Sequence, residues 1–173
     1  MKRLLIAMAA VAVASPALAA LPVGANAPAI KTQVALAGKD TPFDLQAALK
    51  KGPVVLYFFP AAFTAGCTAE AHEFAEASDD FHKAGATILG MTGGNVDRIA
   101  EFSKSECRDK FAVGAASAEV IKAYDVASAT RPGFTGRVSY VIGKNGKIAY
   151  VHDNPNFAEH MKGTLATVQA MKK

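Results

Sequence analysis

Cysteine is scarce in this sequence, and its spacing disfavours several kinds of redox and metal protein. The 173 residues contain two cysteines, Cys67 and Cys107, and no Cys-x-x-Cys pair. A dithiol oxidoreductase normally carries such a pair, and a copper-delivery protein needs two nearby cysteines. We expect no metal and no cofactor, because no histidine lies at a tight metal-ligand spacing from cysteine or carboxylate. The histidines are expected at the surface; they are His72, His82, His152 and His160.

Clustered charge of one sign is also missing. The chain has 19 basic and 15 acidic residues, and the basic residues are scattered among the acids rather than gathered in a stripe. Nucleic acid is therefore not an expected partner. No internal repeat or low-complexity tract divides the chain, which has the length of one ordinary domain.

An apolar run long enough to span a membrane is absent, although the amino terminus carries a short one. MKRLLIAMAAVAVASPALAA combines two cations, an apolar stretch and small residues, which is typical of an export signal. Ser15 and Pro16 interrupt this stretch well short of the ~20 apolar residues that a span needs. We therefore predict an exported protein, located in the bacterial periplasm, without stable membrane association after cleavage. The predicted parts are a signal peptide over residues 1–19, cleaved after Ala19 or Ala20, and a domain over residues 20–173.

Strand and helix patterns alternate along the remaining chain. VVLYFF (54–59) is continuously apolar, which indicates a central strand covered on both faces. The patterns that follow predict a helix from Cys67 to Gly85, a buried strand over 86–92, a helix over 95–110 capped by Asn95, a short strand and helix over 111–126, a hairpin around Asn145-Gly146, and a closing helix over 157–173. This order describes a thioredoxin-like α/β sandwich, in which helices flank a central mixed sheet.

Cys67 falls in the first turn of the helix that follows the central strand. Unpaired N–H groups and the helix dipole favour a thiolate at such a position. Thr64 is expected to bring a hydroxyl back toward the sulfur, and Pro60 closes the pocket without adding a competing N–H group. A structural disulfide between Cys67 and Cys107 is the alternative, because disulfides are common in exported proteins.

The stretch FFPAAFTAGCTAEAHEF resembles the active-site segment of the peroxiredoxins, and in particular the peroxiredoxin Q, or bacterioferritin comigratory protein, branch. The matching motif is Pro60-x-x-x-Thr64-x-x-Cys67, and the similarity continues through the strand that begins at Arg137. The resemblance implies a thiol-dependent peroxidase, in which Cys67 reduces hydrogen peroxide or an organic hydroperoxide and becomes a sulfenic acid. It also implies a thioredoxin-like or other dithiol reductant, and we expect a monomer.

The resemblance assigns two further residues. Arg137 is expected to hold the Cys67 thiolate and to donate to the peroxide, whereas Arg131 in the RPGFTG loop is the competing candidate. Glu70 follows Cys67 by one helical turn and could orient Arg137 through a charge-assisted hydrogen bond. An interaction of Glu70 with the helix dipole alone is equally compatible with this position.

Position 72 departs from a common pattern of the branch. Many members carry a resolving cysteine five residues after the reactive one, but this sequence has His72 there. Cys107 is therefore the expected resolving residue, forming an intramolecular disulfide with Cys67, and a buried inert thiol in a one-cysteine enzyme is the alternative. Two other functions stay open: an exported thioredoxin-like thiol oxidoreductase and a redox-inert binding domain.

Overall fold

The computed structural model describes residues 20–172, so the predicted signal peptide lies outside the described residues. Between these positions the chain forms a seven-stranded sheet and six α-helices. The strands are β1 Lys31–Leu36, β2 Lys39–Asp44, β3 Val54–Phe58, β4 Thr87–Thr92, β5 Ala112–Ala115, β6 Val138–Ile142 and β7 Ile148–Asp153. The helices are α1 Leu45–Lys51, α2 Ala65–Glu76, α3 Ser78–Lys83, α4 Ile99–Ser105, α5 Ala118–Ala123 and α6 His160–Met171. Within this part of the chain, no helix is both long and apolar enough to pass through a membrane.

The sheet is mixed, with the strand order β2-β1-β5-β4-β3-β6-β7. β3, β4 and β5 run parallel, whereas β1 and β6 are antiparallel to their inner neighbours. Two hairpins form the edges of the sheet, and the one that joins β6 to β7 turns at Gly146 with φ +76°. That hairpin and the central mixed sheet agree with the expectations from the sequence.

The central strand β3 divides the core between the two faces of the sheet. Because side chains alternate along a strand, Leu56 and Phe58 enter one apolar cluster with α1 and α5. Tyr57 and Phe59 enter the other cluster, against α2, α3, α4 and α6. Both cysteines belong to this second cluster, so the candidate site lies on the face that carries four helices.

The helix predicted from Cys67 to Gly85 is two helices. α2 ends at Glu76 and α3 begins at Ser78, with Ala77 at φ −84° and ψ −1° between them. The break allows Phe81 of α3 to pack in the same cluster as α2. Gly85 then ends the segment with φ +78°, which is the left-handed conformation that favours glycine after a helix.

The helix predicted over 95–110 is much shorter, and its expected cap is wrong. Asn95 adopts a left-handed conformation with φ 55° and makes no capping hydrogen bond. Its side-chain amide donates instead to the carbonyl of Ala62 at 2.7 Å, in the loop that precedes Cys67. A 3-10 turn follows, and α4 covers only Ile99–Ser105, so Cys107 comes after the helix rather than within it.

The amino-terminal hairpin and α1 had no clear signal in the sequence. β2 is short, partly exposed and contains Pro42, which lowers the strand propensity of KDTPFD. The start of α1 is fixed by Asp44, whose carboxylate accepts from the backbone N–H of Ala47 at 3.1 Å.

Candidate active site

Cys67 lies where the central strand passes into a helix. β3 ends at Phe58, a short loop follows, and α2 begins at Ala65, so Cys67 is the third residue of the helix. Its side chain is buried, with 1% of the residue exposed. The N–H groups of a first helical turn have no partners within the helix, and the positive end of the dipole lies there. This position therefore stabilises negative charge on the sulfur.

The loop before Cys67 is strained and is held by contacts from outside. Phe63 adopts φ +60°, which is uncommon for a bulky residue and costs on the order of 1–3 kcal/mol. Its ring packs edge-on against Phe102 and lies under the guanidinium of Arg98, 3.9 Å from the ring centroid. Thr92 donates to the carbonyl of Pro60 at 3.1 Å, and Thr135 donates to the carbonyl of Phe59 at 2.6 Å. No local sequence pattern indicates these supports.

Thr64 flanks α2, but its hydroxyl does not donate to the sulfur as expected. The hydroxyl donates to the backbone carbonyl of Ala61 at 3.1 Å. Because a hydroxyl has one hydrogen, the Thr64 oxygen presents only lone pairs to any further partner. The residue can therefore accept a hydrogen bond from a bound molecule while its own hydrogen is engaged.

Arg137 immediately precedes β6 and reaches the sulfur of Cys67. Its Nη2 donates to Sγ at 3.5 Å, and only 8% of the residue is exposed. Its Nε donates to the carbonyl of Pro155 at 3.0 Å, which fixes the plane of the guanidinium. The competing candidate, Arg131, is exposed and stacks on Phe134, with 4.5 Å from guanidinium carbon to ring centroid. The structure thus brings Arg137 to Cys67, and Arg131 makes its contact elsewhere.

Glu70 lies one turn after Cys67 and contacts the other side of the same guanidinium. Its Oε2 accepts from Nη1 of Arg137, and the residue is fully buried. Its Oε1 is buried without any hydrogen-bond partner. Burial raises the pKa of Glu70 to about 8, and the opposing effect of Arg137 does not cancel the burial. Glu70 therefore contacts Arg137, and its burial favours the protonated form of its carboxyl group.

The prediction that all four histidines are surface residues is wrong for His160. His160 is fully buried at the start of α6, where Nδ1 lies 2.8 Å from the hydroxyl of Ser139 and 3.9 Å from Oε1 of Glu70. A single histidine in an amphipathic segment gives no sequence signal for such a role. Among the described residues, no group of His, Cys, Asp and Glu is arranged to hold a metal ion.

Cys107 is the second thiol, and it is also buried. Its backbone N–H donates to the carbonyl of Phe102 at 3.0 Å, directly after the end of α4. Burial raises the pKa of the Cys107 thiol well above its usual range, and the charge of Glu106 adds to the effect. Cys67 and Cys107 are both free thiols in this structure. Cys107 is therefore a protonated and weakly nucleophilic group while it stays in the core.

Two ion pairs and one histidine–carboxylate hydrogen bond hold the residues around Cys107 against α2 and α3. We call residues 106–110 the Cys107 turn; within it Arg108 and Asp109 both have positive φ, at 50° and 60°. Each pair joins one residue of the turn to one helical residue. The pairs are Glu106 with His72 at 2.9 Å, Arg108 with Glu76 at 3.1 Å, and Lys110 with Asp79 at 3.4 Å. His72 thus stabilises the buried position of the neighbouring cysteine.

A sheet of this topology with a single thiol at the start of the helix after its central strand defines a thioredoxin-like protein built around one buried cysteine. The AhpC/TSA family matches residues 23–151. The chain belongs to that family, and its relatives place it close to the peroxiredoxin Q proteins. Chloroplastic peroxiredoxin Q of Sedum lineare is 34% identical over 124 residues, which cover 71% of this chain and 67% of that protein.

Other relatives support the same assignment. The putative chloroplastic peroxiredoxin Q of Oryza sativa subsp. indica is 33% identical over 123 residues, 70% of this chain, and the chain spans only 57% of that relative's length. Peroxidoxin BcpB from Mycobacterium tuberculosis matches with a TM-score of 0.77 at 27% identity, covering 87% of this chain and 98% of that one. The bacterioferritin comigratory protein of Xanthomonas campestris matches with a TM-score of 0.70 at 26% identity, covering 82% and 92%. The thioredoxin-like fold predicted from the sequence is confirmed.

Replacement of Glu70 by glutamine should flatten the dependence of stability on pH. A carboxyl whose pKa is raised from 4.5 to about 8 stabilises the fold fully below pH 4.5, and this contribution is lost as the pH rises through about 8. Glutamine stays neutral, so urea unfolding of the wild type should lose stability relative to Glu70→Gln between pH 5 and 9, by at most ~1.4 kcal/mol per pH unit. Parallel curves of unfolding free energy against pH for the two proteins would show that Glu70 is ionised throughout this pH range.

Proposed function

We propose that this protein is a thiol-dependent peroxidase in which Cys67 is the peroxidatic residue. The observation that carries the proposal is the contact of Arg137 Nη2 with Cys67 Sγ at 3.5 Å, at the buried amino-terminal turn of α2. A buried cation and a helix amino terminus both favour an anionic sulfur, and the thiolate is the nucleophilic form. The family supports peroxide as the electrophile.

The proposed first step breaks the peroxide O–O bond. The Cys67 thiolate gives an electron pair to the nearer oxygen of a hydroperoxide ROOH, and the O–O electrons leave with RO⁻. The sulfur is oxidised to a sulfenic acid, Cys67–SOH, and the peroxide is reduced to ROH once RO⁻ takes a proton from water. Negative charge moves from the sulfur to the departing oxygen, so a group that stabilises both must face the line between them.

Thiolate formation alone gives little acceleration. With a Brønsted slope of ~0.4, lowering a thiol pKa by ~2.5 units gains about thirtyfold in anion and loses about tenfold in nucleophilicity. A fixed donor that faces developing charge contributes about 10²- to 10³-fold. Arg137 is the residue placed to provide such a donor, because its guanidinium already contacts the sulfur.

Thr64 and Pro60 complete the proposed peroxide pocket. Thr64 uses its hydrogen on the carbonyl of Ala61, so its oxygen is suited to accept the O–H of the hydroperoxide. This acceptor role differs from the sequence-based expectation that the Thr64 hydroxyl is directed toward the sulfur. Pro60 offers no N–H that could compete for the peroxide oxygens. Together the two residues would orient the substrate, and Arg137 would stabilise the charge that moves.

The proposed substrates include organic hydroperoxides as well as hydrogen peroxide. The Xanthomonas campestris relative is a protein studied for alkyl peroxide reduction. In this chain a surface pocket bordered by Pro60, Ala129, Arg137 and Pro155 adjoins the site, where it offers space for an organic group. Both substrate classes are compatible with a pocket of this kind.

Cys107 is the proposed resolving cysteine, with a one-cysteine cycle as the alternative. The Cys107 thiol would attack the sulfenic sulfur of Cys67, form the disulfide and release water. A dithiol reductant, thioredoxin-like or of another kind, would then return both thiols and become a disulfide itself. Because Cys107 is buried, the Cys107 turn must leave its position first. The positive φ values of Arg108 and Asp109 lower the cost of that opening.

The proposed location is outside the cytoplasm, in the bacterial periplasm, after removal of residues 1–19. The support is the signal-like composition of the amino terminus and the chloroplastic location named for the plant relatives, which are also targeted proteins. We propose a monomer, since the two thiols of the cycle are carried by one chain.

Variants at the proposed peroxide site should distinguish the nucleophile, Cys67, from the polar residues that assist it and from Arg131, which has no proposed catalytic role. Cys67→Ser should abolish peroxide consumption, because no other thiol occupies the first turn of α2. Arg137→Met and Thr64→Val should each slow the second-order reaction by roughly 10²-fold, the effect of one preorganised group. Arg131→Met should leave the rate with hydrogen peroxide unchanged, because Arg131 borders only the adjoining pocket and does not contact the sulfur. The measurement is stopped-flow peroxide consumption, with circular dichroism to verify folding.

Peroxide consumption by folded Cys67→Ser above a few per cent of the wild-type rate would refute the peroxidase proposal. Equal losses from the two arginine variants would instead show that the arginine assignment is wrong.

One equivalent of peroxide should convert the protein to a form with a Cys67–Cys107 disulfide and no free thiol. Non-reducing peptide mapping by mass spectrometry reads this directly. Cys107→Ser should complete the first turnover and then accumulate sulfinic acid, because the sulfenic acid has no thiol to meet. Free Cys107 beside oxidised Cys67 in the wild type, or a disulfide between two chains, would rule out intramolecular resolution.

The His72–Glu106 pair should slow the resolving step. Glu106→Gln weakens this contact and removes a charge that raises the pKa of Cys107, so disulfide formation should be about two- to fivefold faster, as expected for a partly exposed contact worth ~0.4–1 kcal/mol. The matched control is Asp80→Asn, which breaks the exposed pair with Lys83 on α3 and should leave the rate unchanged. Quenched alkylation of the remaining thiols measures the rate. Equal rates in the two variants would exclude this pair as a restraint.

A further inference from the structure

A layer of buried polar groups lies behind Glu70 and has no part in the proposed reaction. Ser139 on β6 and His160 at the start of α6 are both fully buried. The Nε2 atom of His160 lies 2.9 Å from the carbonyl oxygen of Asn154. The Nδ1 atom lies 2.8 Å from the Ser139 hydroxyl and 3.9 Å from Oε1 of Glu70.

These contacts determine where the imidazole carries its hydrogen. A backbone carbonyl only accepts, so Nε2 of His160 must be the N–H donor to Asn154. In the neutral ring Nδ1 is then a lone pair, and Ser139 donates its hydroxyl hydrogen to it. Burial lowers the pKa of His160 to about 4, with further contributions from the charges of His152 and Arg137. The ring is therefore neutral near pH 7.

Nδ1 of His160 lies 3.9 Å from Oε1, the oxygen of Glu70 that has no partner, and it carries no hydrogen to offer that oxygen. An ionised carboxylate would therefore place a buried negative oxygen beside an electron-rich nitrogen, without any donor to stabilise it. A protonated carboxyl would carry its hydrogen on Oε1, because Oε2 accepts from Arg137. The fixed tautomer of His160 therefore disfavours the carboxylate and favours the acid.

The protonation state of Glu70 determines how strongly the positive charge of Arg137 stabilises the thiolate of Cys67. Arg137 contacts both Glu70 and Cys67. If Glu70 is ionised, two buried anions share one cation. If Glu70 is neutral, the full charge of the guanidinium stabilises the Cys67 thiolate.

We propose that His160 is a positioning residue of the peroxide site, which keeps Glu70 protonated and thereby reserves the charge of Arg137 for the thiolate of Cys67. The proposal rests on the proposed reactivity of Cys67. The layer acts without touching the peroxide, because Glu70 and Arg137 stand between His160 and the sulfur.

The surrounding charges agree with a proton on Glu70 rather than on His160. On β7 the ring of His152 packs edge-on against His160 at 4.5 Å, and its positive form would oppose a second cation. On α2 the charge of Glu73 raises the pKa of Glu70 further. The remaining titratable groups that face this cluster are Arg137 before β6, Cys67 on α2 and Tyr57 on β3, whose own pKa is raised by burial.

The test measures the reactivity of Cys67 without peroxide. Iodoacetamide alkylation reads the fraction of Cys67 present as thiolate, and peptide mapping separates it from Cys107. His160→Asn can turn an amide N–H toward Glu70, which stabilises the carboxylate and should slow alkylation at pH 7 about three- to tenfold. In a Glu70→Gln background the same substitution should have no effect, because glutamine cannot ionise.

Ser139→Ala is the matched variant, because it removes a buried hydrogen bond from the same ring. It frees Nδ1 of His160 to accept the hydrogen of Glu70, so alkylation near pH 8–9, where wild-type Glu70 ionises, should become faster rather than slower. Across pH 5–9 the wild-type alkylation profile should therefore shift in opposite directions for the two variants. Damage to packing alone would slow both.

Two results would overturn the proposal. One is an equal slowing by His160→Asn in the wild-type and Glu70→Gln backgrounds. The other is a slowing by Ser139→Ala, which remains measurable if His160→Asn does not fold. A wild-type protein that alkylates as expected but does not consume peroxide would refute the proposed function and leave this inference standing.

Discussion

A single guanidinium group, that of Arg137, is shared between the sulfur of Cys67 and the carboxyl of Glu70 in a region almost closed to solvent. Taking charged groups out of water costs several kcal/mol for each ion, and their attraction repays this only if the remaining hydrogen-bonding groups find partners. The first turns of α2, the residue before β6 and the chain before α6 meet at this cluster. These three segments must therefore keep the relative positions in which Arg137 contacts both Cys67 and Glu70.

The sequence was informative where a residue's environment is set by its near neighbours along the chain. The apolar run of β3 requires cover on both faces, and the structure provides it. The position of Cys67 at the start of a helix follows directly from that strand. Arg137 was singled out through its place at the start of a strand, and its Nη2 lies 3.5 Å from the sulfur of Cys67. Its catalytic role remains a proposal.

The parts that escaped prediction depend on contacts between distant segments. His160 looks like any helical histidine, yet it is buried because Ser139 and Asn154 supply partners from two other elements. Asn95 has the composition of a helix cap, but its amide is drawn to the loop before Cys67 by a carbonyl 33 positions earlier. In both cases a long-range hydrogen bond outweighs the local preference of the residue, and no local pattern records it.

In the short connection between β7 and α6, Asn154 and Pro155 expose their side chains to water but give their two backbone carbonyls to the interior. Asn154 supplies the acceptor for His160, and Pro155 supplies the acceptor for Arg137. Every amino acid has a backbone carbonyl, so the acceptors themselves do not depend on the residue type at these two positions. The length of the connection cannot change, because one inserted or deleted residue would move both acceptors away from their donors. Pro155, whose exposed ring makes no hydrogen bond, can therefore be replaced, for instance by a residue that carries a label, but only at constant length.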